Sequence, residues 1–172
     1  ISDEAFRKMI QKGITFSNNP GITYEYSNMG FAMLGLIIKN TSGMSYQKYI
    51  TENIFKPLGM NNTYWEYADV PSTKLAFGYR WLNNSWIKQP MEHDGAYGAM
   101  GGLITTLTDF SHYVALHLAA WPERDAPEKG PLKRSSIREM LFPWNMSEFN
   151  PSTIYPNGRK GSSFTAYGYV LS

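Results

Sequence analysis

The most informative stretch of the chain runs Pro20-Gly21-Ile22-Thr23-Tyr24-Glu25-Tyr26-Ser27-Asn28-Met29-Gly30-Phe31. The apolar run that follows extends from Met29 to Ile38, ten residues that are far too few to span a bilayer. We therefore predict a buried helix from Asn28 to Lys39 that ends near Gly43. The tripeptide Tyr26-Ser27-Asn28 would lie at the start of this helix, in the setting of a catalytic elbow.

A tyrosine and an asparagine separated by one residue are a weak signal alone, because most tyrosines are structural. The segments that follow strengthen the signal, since they occur in the order found in one family: Ser42-Gly43, Tyr46, Tyr49-Ile50, Glu52-Asn53-Ile54-Phe55, Pro57-Leu58-Gly59-Met60, Ala76-Phe77-Gly78-Tyr79, Gly98-Ala99-Met100-Gly101-Gly102-Leu103-Ile104-Thr105-Thr106 and Asp109-Phe110. From about Pro20 to Leu118 the chain resembles the penicillin-recognising serine hydrolases. That family includes class C β-lactamases, D-alanyl-D-alanine carboxypeptidases and related esterases.

The resemblance implies an α+β, β-lactamase/transpeptidase-like fold. Residues 1–172 would form a partial catalytic domain that covers most of the helical region and part of the antiparallel-sheet side. It also implies that Tyr26 acts as a proton shuttle and that Asn28 holds the substrate side-chain amide and a catalytic lysine. A tyrosine has an ordinary pKa of about 10, so Tyr26 needs neighbouring cations to accept a proton at neutral pH. We interpret Ser27 as structural.

The nucleophile motif of the family, Ser-x-x-Lys, is missing from its place well before Tyr26. Two literal matches occur elsewhere, and chance accounts for about one in a chain of this composition. Ser45, in Ser45-Tyr46-Gln47-Lys48, is better explained as the N-cap of a helix. Ser85 and Lys88 lie in a predicted strand, where residues three apart point to opposite faces. We therefore expect the nucleophile to lie outside this chain.

The third motif of the family, Lys-Thr-Gly or His-x-Gly, is also missing from its expected place. His93-Asp94-Gly95 comes before Gly101-Gly102 rather than well after it, and Lys160-Gly161-Ser162 has the letters in the wrong order. His93 fits a loop histidine better than a site residue. The end of the chain, from Tyr167 to Ser172, resembles the segment that leads toward this motif. We expect the chain to be a middle piece of a longer protein.

Composition excludes several classes of protein. At 42% hydrophobic and 17% charged residues the chain is not disordered, and its net charge of +2 is scattered rather than gathered into a nucleic-acid footprint. The absence of cysteine excludes disulfides and thiolate sites. His112 and His117 are five apart and do not share a helix face, so we expect no metal and no cofactor. No Gly-x-Ser-x-Gly elbow occurs, which argues against an α/β-hydrolase.

Local patterns predict further elements. Helices are expected at 3–12, at 46–55 with an end before Pro57, and from 106–109 to Trp121-Pro122. Extended segments are expected at 63–65, 77–82 and 85–88, with a hairpin turn at Asn83-Asn84. We interpret the glycines between 95 and 102 as turns with positive φ or close backbone approach, and 122–131 as an exposed loop.

Beyond this loop, Ser136-Ile137-Arg138-Glu139 has the spacing of a capping box and predicts the start of a last short helix. From 143 to 167 no period is convincing. The aromatic residues of this region fit packing better than a substrate groove, and they are Trp144, Phe149, Tyr155, Phe164 and Tyr167.

The resemblance therefore implies that the parent protein is a serine hydrolase that forms an acyl-enzyme with β-lactams or D-alanyl peptides, and that this chain alone is inactive. A carboxylesterase or amide hydrolase on the same scaffold remains an alternative, as does a non-catalytic penicillin-binding-like protein. A complete small domain with a chance Tyr-Ser-Asn is a third alternative. The expected partner is a small-molecule or peptide substrate, without nucleic acid, and a periplasmic or secreted location follows from the resemblance alone.

Overall fold

The computed structural model describes residues 1–91, 93–124 and 126–169. The chain divides into two compact units, one made of Ile1–Gly13 and Ser27–Val114, the other of Ile14–Tyr26 and Ala115–Ser172. The end of the chain from Val170 to Ser172, which resembles the approach to the third motif, lies outside the described residues.

The first unit is built around helices α1 (Asp3–Gln11) and α2 (Asn28–Ser42). Phe6 of α1 is fully buried against Ala32 of α2 and Ala96, and its ring lies 5.2 Å from that of Tyr97. These apolar contacts form the core of the unit, because burial of an aromatic side chain of this size is worth about 1.5–3 kcal/mol.

Helix α2 agrees with the predicted position, although it extends three residues beyond Lys39 and ends at Gly43, which is left-handed with φ 71°. The expectation that the whole helix is buried is wrong. Ala32 and Gly35 are buried, whereas Leu34 is 46% exposed and Ile37 is 51% exposed. The side of α2 that faces the core carries Ala32 and Gly35, together with the partly buried Met29, Met33 and Leu36.

The second predicted helix does not stop before Pro57. It begins as α3 (Tyr46–Ile50), passes through a π-helical turn at Thr51–Phe55 and continues as α4 (Lys56–Leu58). In the π turn the Lys56 N–H donates to the Thr51 carbonyl five residues earlier. Proline normally breaks a helix because it lacks an N–H and collides with the carbonyl four residues before it. Pro57 lies in the first turn of α4, directly after the π turn, and a first turn tolerates proline.

Helix α6 (Leu107–Leu118) confirms the helix predicted from 106–109, although it ends before the predicted end at Trp121-Pro122. Its buried Asp109 accepts hydrogen bonds from the Asn62 N–H at 2.6 Å and from the Thr63 hydroxyl at 2.8 Å. Next to these contacts, Tyr64 and Ile104 form an isolated antiparallel bridge. The extended segment predicted at 63–65 is therefore present as a single bridge residue, tied to α6 through Asp109.

The predicted hairpin is confirmed. Strands β1 (Tyr79–Leu82) and β2 (Ser85–Lys88) pair antiparallel, and Asn83 and Asn84 both adopt positive φ, at 50° and 57°. Two consecutive residues with positive φ form the turn whose twist matches that of paired strands.

The glycine-rich segment forms a 3₁₀ turn at Gly95–Tyr97 followed by the short helix α5 (Gly98–Gly101), so the interpretation as turns alone is incomplete. Gly95 has φ 56°, as expected for glycine. A side chain at Gly98 would collide with the hydroxyl oxygen of Tyr46, and one at Gly102 would lie 2.7 Å from a carboxylate oxygen of Asp94. Close approach, rather than turn geometry, requires glycine at these two positions.

In the second unit, α7 (Arg134–Met140) begins two residues before Ser136, so the capping-box prediction is wrong. The N-cap is Lys133, and it makes no side-chain capping bond. Arg134 instead binds the preceding loop: its guanidinium donates to the carbonyls of Pro127 and Ala126, and it lies 3.8 Å from the Glu128 carboxylate. The start of α7 is therefore fixed by an arginine and not by a hydroxyl.

The sequence analysis predicts no regular structure between 143 and 167, and the structure has a long hairpin there. Strands β3 (Asn145–Ile154) and β4 (Lys160–Tyr167) pair antiparallel, with register shifts after Met146 and Asn150. Each shift breaks the alternation of faces that identifies a strand in a sequence. Asn157-Gly158, with Gly158 at φ 79°, is a hairpin turn signal that could have revealed the pair.

We predict opposite effects of alanine at two glycines of α5. Gly98→Ala should lower the free energy of unfolding by about 1–3 kcal/mol, because its methyl group collides with the Tyr46 hydroxyl. Gly101→Ala meets nothing within 4 Å and should be neutral or stabilising by up to about 1 kcal/mol. Urea unfolding measures both values. Adding Tyr46→Phe to Gly98→Ala should restore part of the loss, since the ring carbon Cζ would remain 3.6 Å away; equal stability of the two alanine variants would contradict this packing.

We also predict that Asp109→Ala destabilises the protein by about 2–4 kcal/mol. The substitution leaves the Asn62 N–H and the Thr63 hydroxyl without their acceptor in a buried site. Asp69→Ala, at an exposed position, serves as the matched control and should change the free energy of unfolding by less than about 0.5 kcal/mol. Similar losses for the two variants in chemical denaturation would show that Asp109 has no special structural role.

Candidate active site

The predicted catalytic tripeptide lies at the start of α2. Ser27 is the N-cap, with extended backbone at φ −140° and ψ 102°, and its hydroxyl accepts a hydrogen bond from the Gly30 N–H at 3.0 Å. Asn28 is the first residue of the helix and is exposed. Tyr26, just before the cap, is 71% exposed. The hydrogen bond between Ser27 and Gly30 agrees with the interpretation of Ser27 as a structural residue, because an N-cap serine satisfies a free N–H at the start of the helix.

The loop before the tripeptide is held by a carboxylate. Glu25 accepts hydrogen bonds from the Ser17 hydroxyl at 2.7 Å and from the side-chain amide of Asn18. A further turn is closed by the Ile22 N–H, which donates to the Asn19 carbonyl at 3.3 Å. Glu25 therefore organises the chain that leads to Tyr26, with its carboxylate bound by local donors.

A second tyrosine two residues before Tyr26 is part of a pair that the sequence analysis misses. The rings of Tyr24 and Tyr167 stack with centroids 4.2 Å apart. The hydrogen bond with Tyr167, together with loss of solvent and the proximity of Tyr167 and Tyr26, raises the pKa of Tyr24 to about 12. Tyr24 therefore stays a neutral phenol at physiological pH. The two residues are far apart in sequence, so no local pattern identifies the pair.

The serine side chains of the two Ser-x-x-Lys matches form local contacts in the structure. The Ser45 hydroxyl accepts from the Lys48 N–H at 3.2 Å, which confirms its prediction as the N-cap of α3. The Ser85 hydroxyl donates to the Leu82 carbonyl, and the Lys88 ammonium lies 3.2 Å from the centroid of the Phe77 ring. In neither match does a hydrogen bond join the serine hydroxyl to the lysine ammonium, whereas a nucleophile and its activating base are hydrogen-bonded.

His93 lies in a polar part of the first unit. Its Nδ1 is 2.8 Å from the Glu66 carboxylate, and both side chains are more than half exposed. With Asp94 and Tyr46 they line a cavity of about 50 Å³. Burial and the nearby carboxylates of Asp94, Glu66 and Asp3 raise the pKa of Tyr46 to about 12, so this phenol is also neutral.

Other residues singled out in the sequence lie in the second unit. Burial in α6 lowers the pKa of His117, as expected for a partly buried helix residue. Phe149 and Phe164 face each other across the second hairpin at 4.7 Å, and the Tyr155 hydroxyl donates to the Ser162 carbonyl at 2.7 Å. The described residues contain no group of three or more histidine, cysteine or carboxylate side chains placed to hold a metal ion. No helix in that part of the chain is long and apolar enough to cross a membrane.

Comparison with known proteins assigns the family. The family model described as Beta-lactamase matches residues 3–172, which is nearly the whole sequence, and the chain therefore belongs to the β-lactamase family. Beta-lactamase-like protein 2 from Dictyostelium discoideum is 36% identical over 98 residues, which cover 57% of this chain and 18% of that protein. Protein flp from Staphylococcus aureus is 32% identical over 106 residues, covering 62% and 21% respectively.

A solved structure agrees with this assignment. The octameric penicillin-binding protein homologue from Pyrococcus abyssi superimposes with a TM-score of 0.67 at 28% identity, covering 96% of this chain and 33% of that one. The resemblance to the penicillin-recognising family and the β-lactamase/transpeptidase-like α+β fold are thereby confirmed. The chain spans about a fifth of the length of these curated relatives and a third of this structural neighbour. The family places it among hydrolases.

We predict that Tyr167→Phe lowers the pKa of Tyr24 from about 12 toward the ordinary value of about 10, because the hydrogen bond that favours the neutral phenol is lost. The ring-carbon NMR signal of Tyr24, followed as pH is raised, measures this change. Tyr169→Phe, which removes another hydroxyl from the same end of the chain, is the control and should leave the pKa of Tyr24 unchanged. An unchanged Tyr24 titration in Tyr167→Phe would show that the hydrogen bond does not set its pKa.

Proposed function

We propose that the protein containing this chain is a serine hydrolase that acts through an acyl-enzyme on β-lactams or D-alanyl peptides. The carrying observation is Tyr26-Ser27-Asn28 at the capped start of α2, in a chain of the β-lactamase family. Ser27 caps the helix that Asn28 begins, and the exposed Tyr26 phenol is accessible to a proton donor or acceptor. The penicillin-binding neighbour supports the substrate class.

In the proposed reaction, a serine hydroxyl outside this chain attacks the carbonyl carbon of the scissile amide and its proton passes to the Tyr26 phenolate. The carbon–nitrogen bond then breaks, and the Tyr26 hydroxyl returns the proton to the leaving nitrogen. Water next cleaves the serine ester and regenerates the hydroxyl. Tyr26 needs a neighbouring cation to hold the phenolate, since an isolated tyrosine is protonated at neutral pH.

Asn28 has a binding role in this proposal. Its side-chain N–H groups donate to a substrate carbonyl, and its carbonyl oxygen accepts from the lysine that would activate the nucleophile. An amide suits this position because it supplies both donors and an acceptor without a charge. Asn28 is the first residue of α2, so the Ser27 cap also helps to fix the position of the Asn28 backbone.

We also propose that this chain alone does not turn over substrate. The support is the arrangement of the two candidate nucleophiles: Ser45 caps a helix, and Ser85 donates to a hairpin carbonyl. Each match therefore lacks the hydrogen-bonded serine and base that acyl transfer requires.

Labelling with a fluorescent penicillin tests the proposal. In the longest native polypeptide that contains this chain, peptide mapping should locate the adduct on a serine outside residues 1–172, and the isolated chain should not be labelled. Tyr26→Phe should slow labelling by about 10²–10⁴-fold because it removes the proton carrier. Tyr79→Phe, which removes the hydroxyl of an exposed tyrosine in the first hairpin, should label at the original rate.

Each other outcome points elsewhere. An adduct on Ser45 would overturn the assignment of the nucleophile. A longer polypeptide that is acylated by simple esters or amides but not by the penicillin would favour the carboxylesterase or amide hydrolase. Stable binding of the penicillin without an adduct would favour a non-catalytic binding protein, and equal rates for Tyr26→Phe and Tyr79→Phe would remove Tyr26 from the mechanism.

A further inference from the structure

A second concave site lies within the second unit and plays no part in the acyl transfer proposed above. It has a volume of about 470 Å³, which is in the range of small-molecule sites. Three aromatic and three charged side chains line it, and they are Trp121, Phe142, Trp144, Glu123, Arg138 and Glu139. We call it the aromatic pocket. Each of its three aromatic side chains is slightly more than half exposed, so part of each is accessible to a ligand.

The aromatic wall of the pocket is held in place before any ligand binds. The Trp144 indole N–H donates to the Glu139 carbonyl at 3.1 Å. Its ring centroid lies 4.8 Å from that of Phe142, and it stacks on the ring of Tyr169 at 5.6 Å. A fixed indole loses little freedom on binding, which favours recognition by the ring face.

The charges of the pocket favour a cation. Arg138 is already satisfied: its guanidinium donates to the Ala120 carbonyl at 3.0 Å, pairs with Glu123 at 2.9 Å and lies 6.0 Å from the Trp121 ring centroid. The Glu139 carboxylate makes no hydrogen bond or ion pair within the described residues. Two carboxylates and one guanidinium leave the lining with one net negative charge.

We propose that the aromatic pocket binds a small organic cation of the quaternary ammonium class, with choline as the simplest example. The positive charge of such a group is spread over methyl carbons, so it contacts aromatic faces at a small cost in hydration. Trp121, Phe142 and Trp144 supply those faces, and Glu139 supplies the opposite charge. An anion would be repelled by the lining, and a neutral apolar ligand would gain nothing from Glu139.

Comparison of choline with its neutral carbon isostere, 3,3-dimethylbutan-1-ol, tests the proposal, because the two differ in charge and hardly in shape. The five indole N–H signals of the nitrogen-15-labelled chain provide the readout. Choline should shift the signals of Trp121 and Trp144 with a Kd of about 1–10 mM, and the isostere should bind at least about tenfold more weakly. The signals of Trp65, Trp81 and Trp86 should stay in place and report that the fold is intact.

Matched substitutions identify the charge that is responsible. Glu139→Gln keeps the shape of the side chain and should weaken choline binding about tenfold. Glu148→Gln removes an exposed carboxylate from β3, outside the pocket lining, and should leave the Kd unchanged. The proposal is overturned if choline shifts neither pocket signal, if the neutral isostere binds equally well, or if the two glutamine variants lose affinity to the same extent.

Discussion

The first unit depends on the absence of side chains where Tyr46 meets two helices. The ring of Tyr46 packs against Gly35 of α2, where an added Cβ would lie 3.1 Å from the ring, and its hydroxyl lies against Gly98 of α5. Trp65 then meets the same ring edge-on at 5.3 Å. Interiors of proteins are close-packed, so an added methyl group at either glycine must displace the ring or the helix. One aromatic residue thereby sets the spacing of three helical segments.

This spacing matters for function because α2 begins at the proposed active site. The helix is fixed at its middle by Gly35 and at its start by the Ser27 hydroxyl, so Asn28 stands on a backbone held at two points. Catalytic groups need such support, since small displacements lower the rate of acyl transfer strongly. The opposite side of α2, with Leu34 and Ile37 about half exposed, shows that the described residues cover only part of this helix.

Features with a local cause could be predicted from the sequence. The cap at Ser45 and the turn at Asn83-Asn84 are predicted from neighbouring residues, and the structure contains both. Ser27, interpreted only as structural, is an N-cap as well. Features that depend on distant residues could not be predicted. Two register shifts hide the second hairpin, the start of α7 depends on loop carbonyls held by Arg134, and the Tyr24–Tyr167 pair joins two ends of the sequence. The roles proposed for Tyr26 and Asn28 rest on the family, which the residues themselves made recognisable.

The π turn at Thr51–Phe55 makes the length of this helical segment critical for its packing. A π turn contains one residue more than an α-helix of the same course, and each residue of an α-helix rotates the following side chains by about 100°. Phe55 closes this turn, is buried and stacks on Trp65 at 5.5 Å. Deleting one residue from the turn would rotate α3 relative to the segment that follows by about 100°, so α3 and Phe55 could not both keep their present packing.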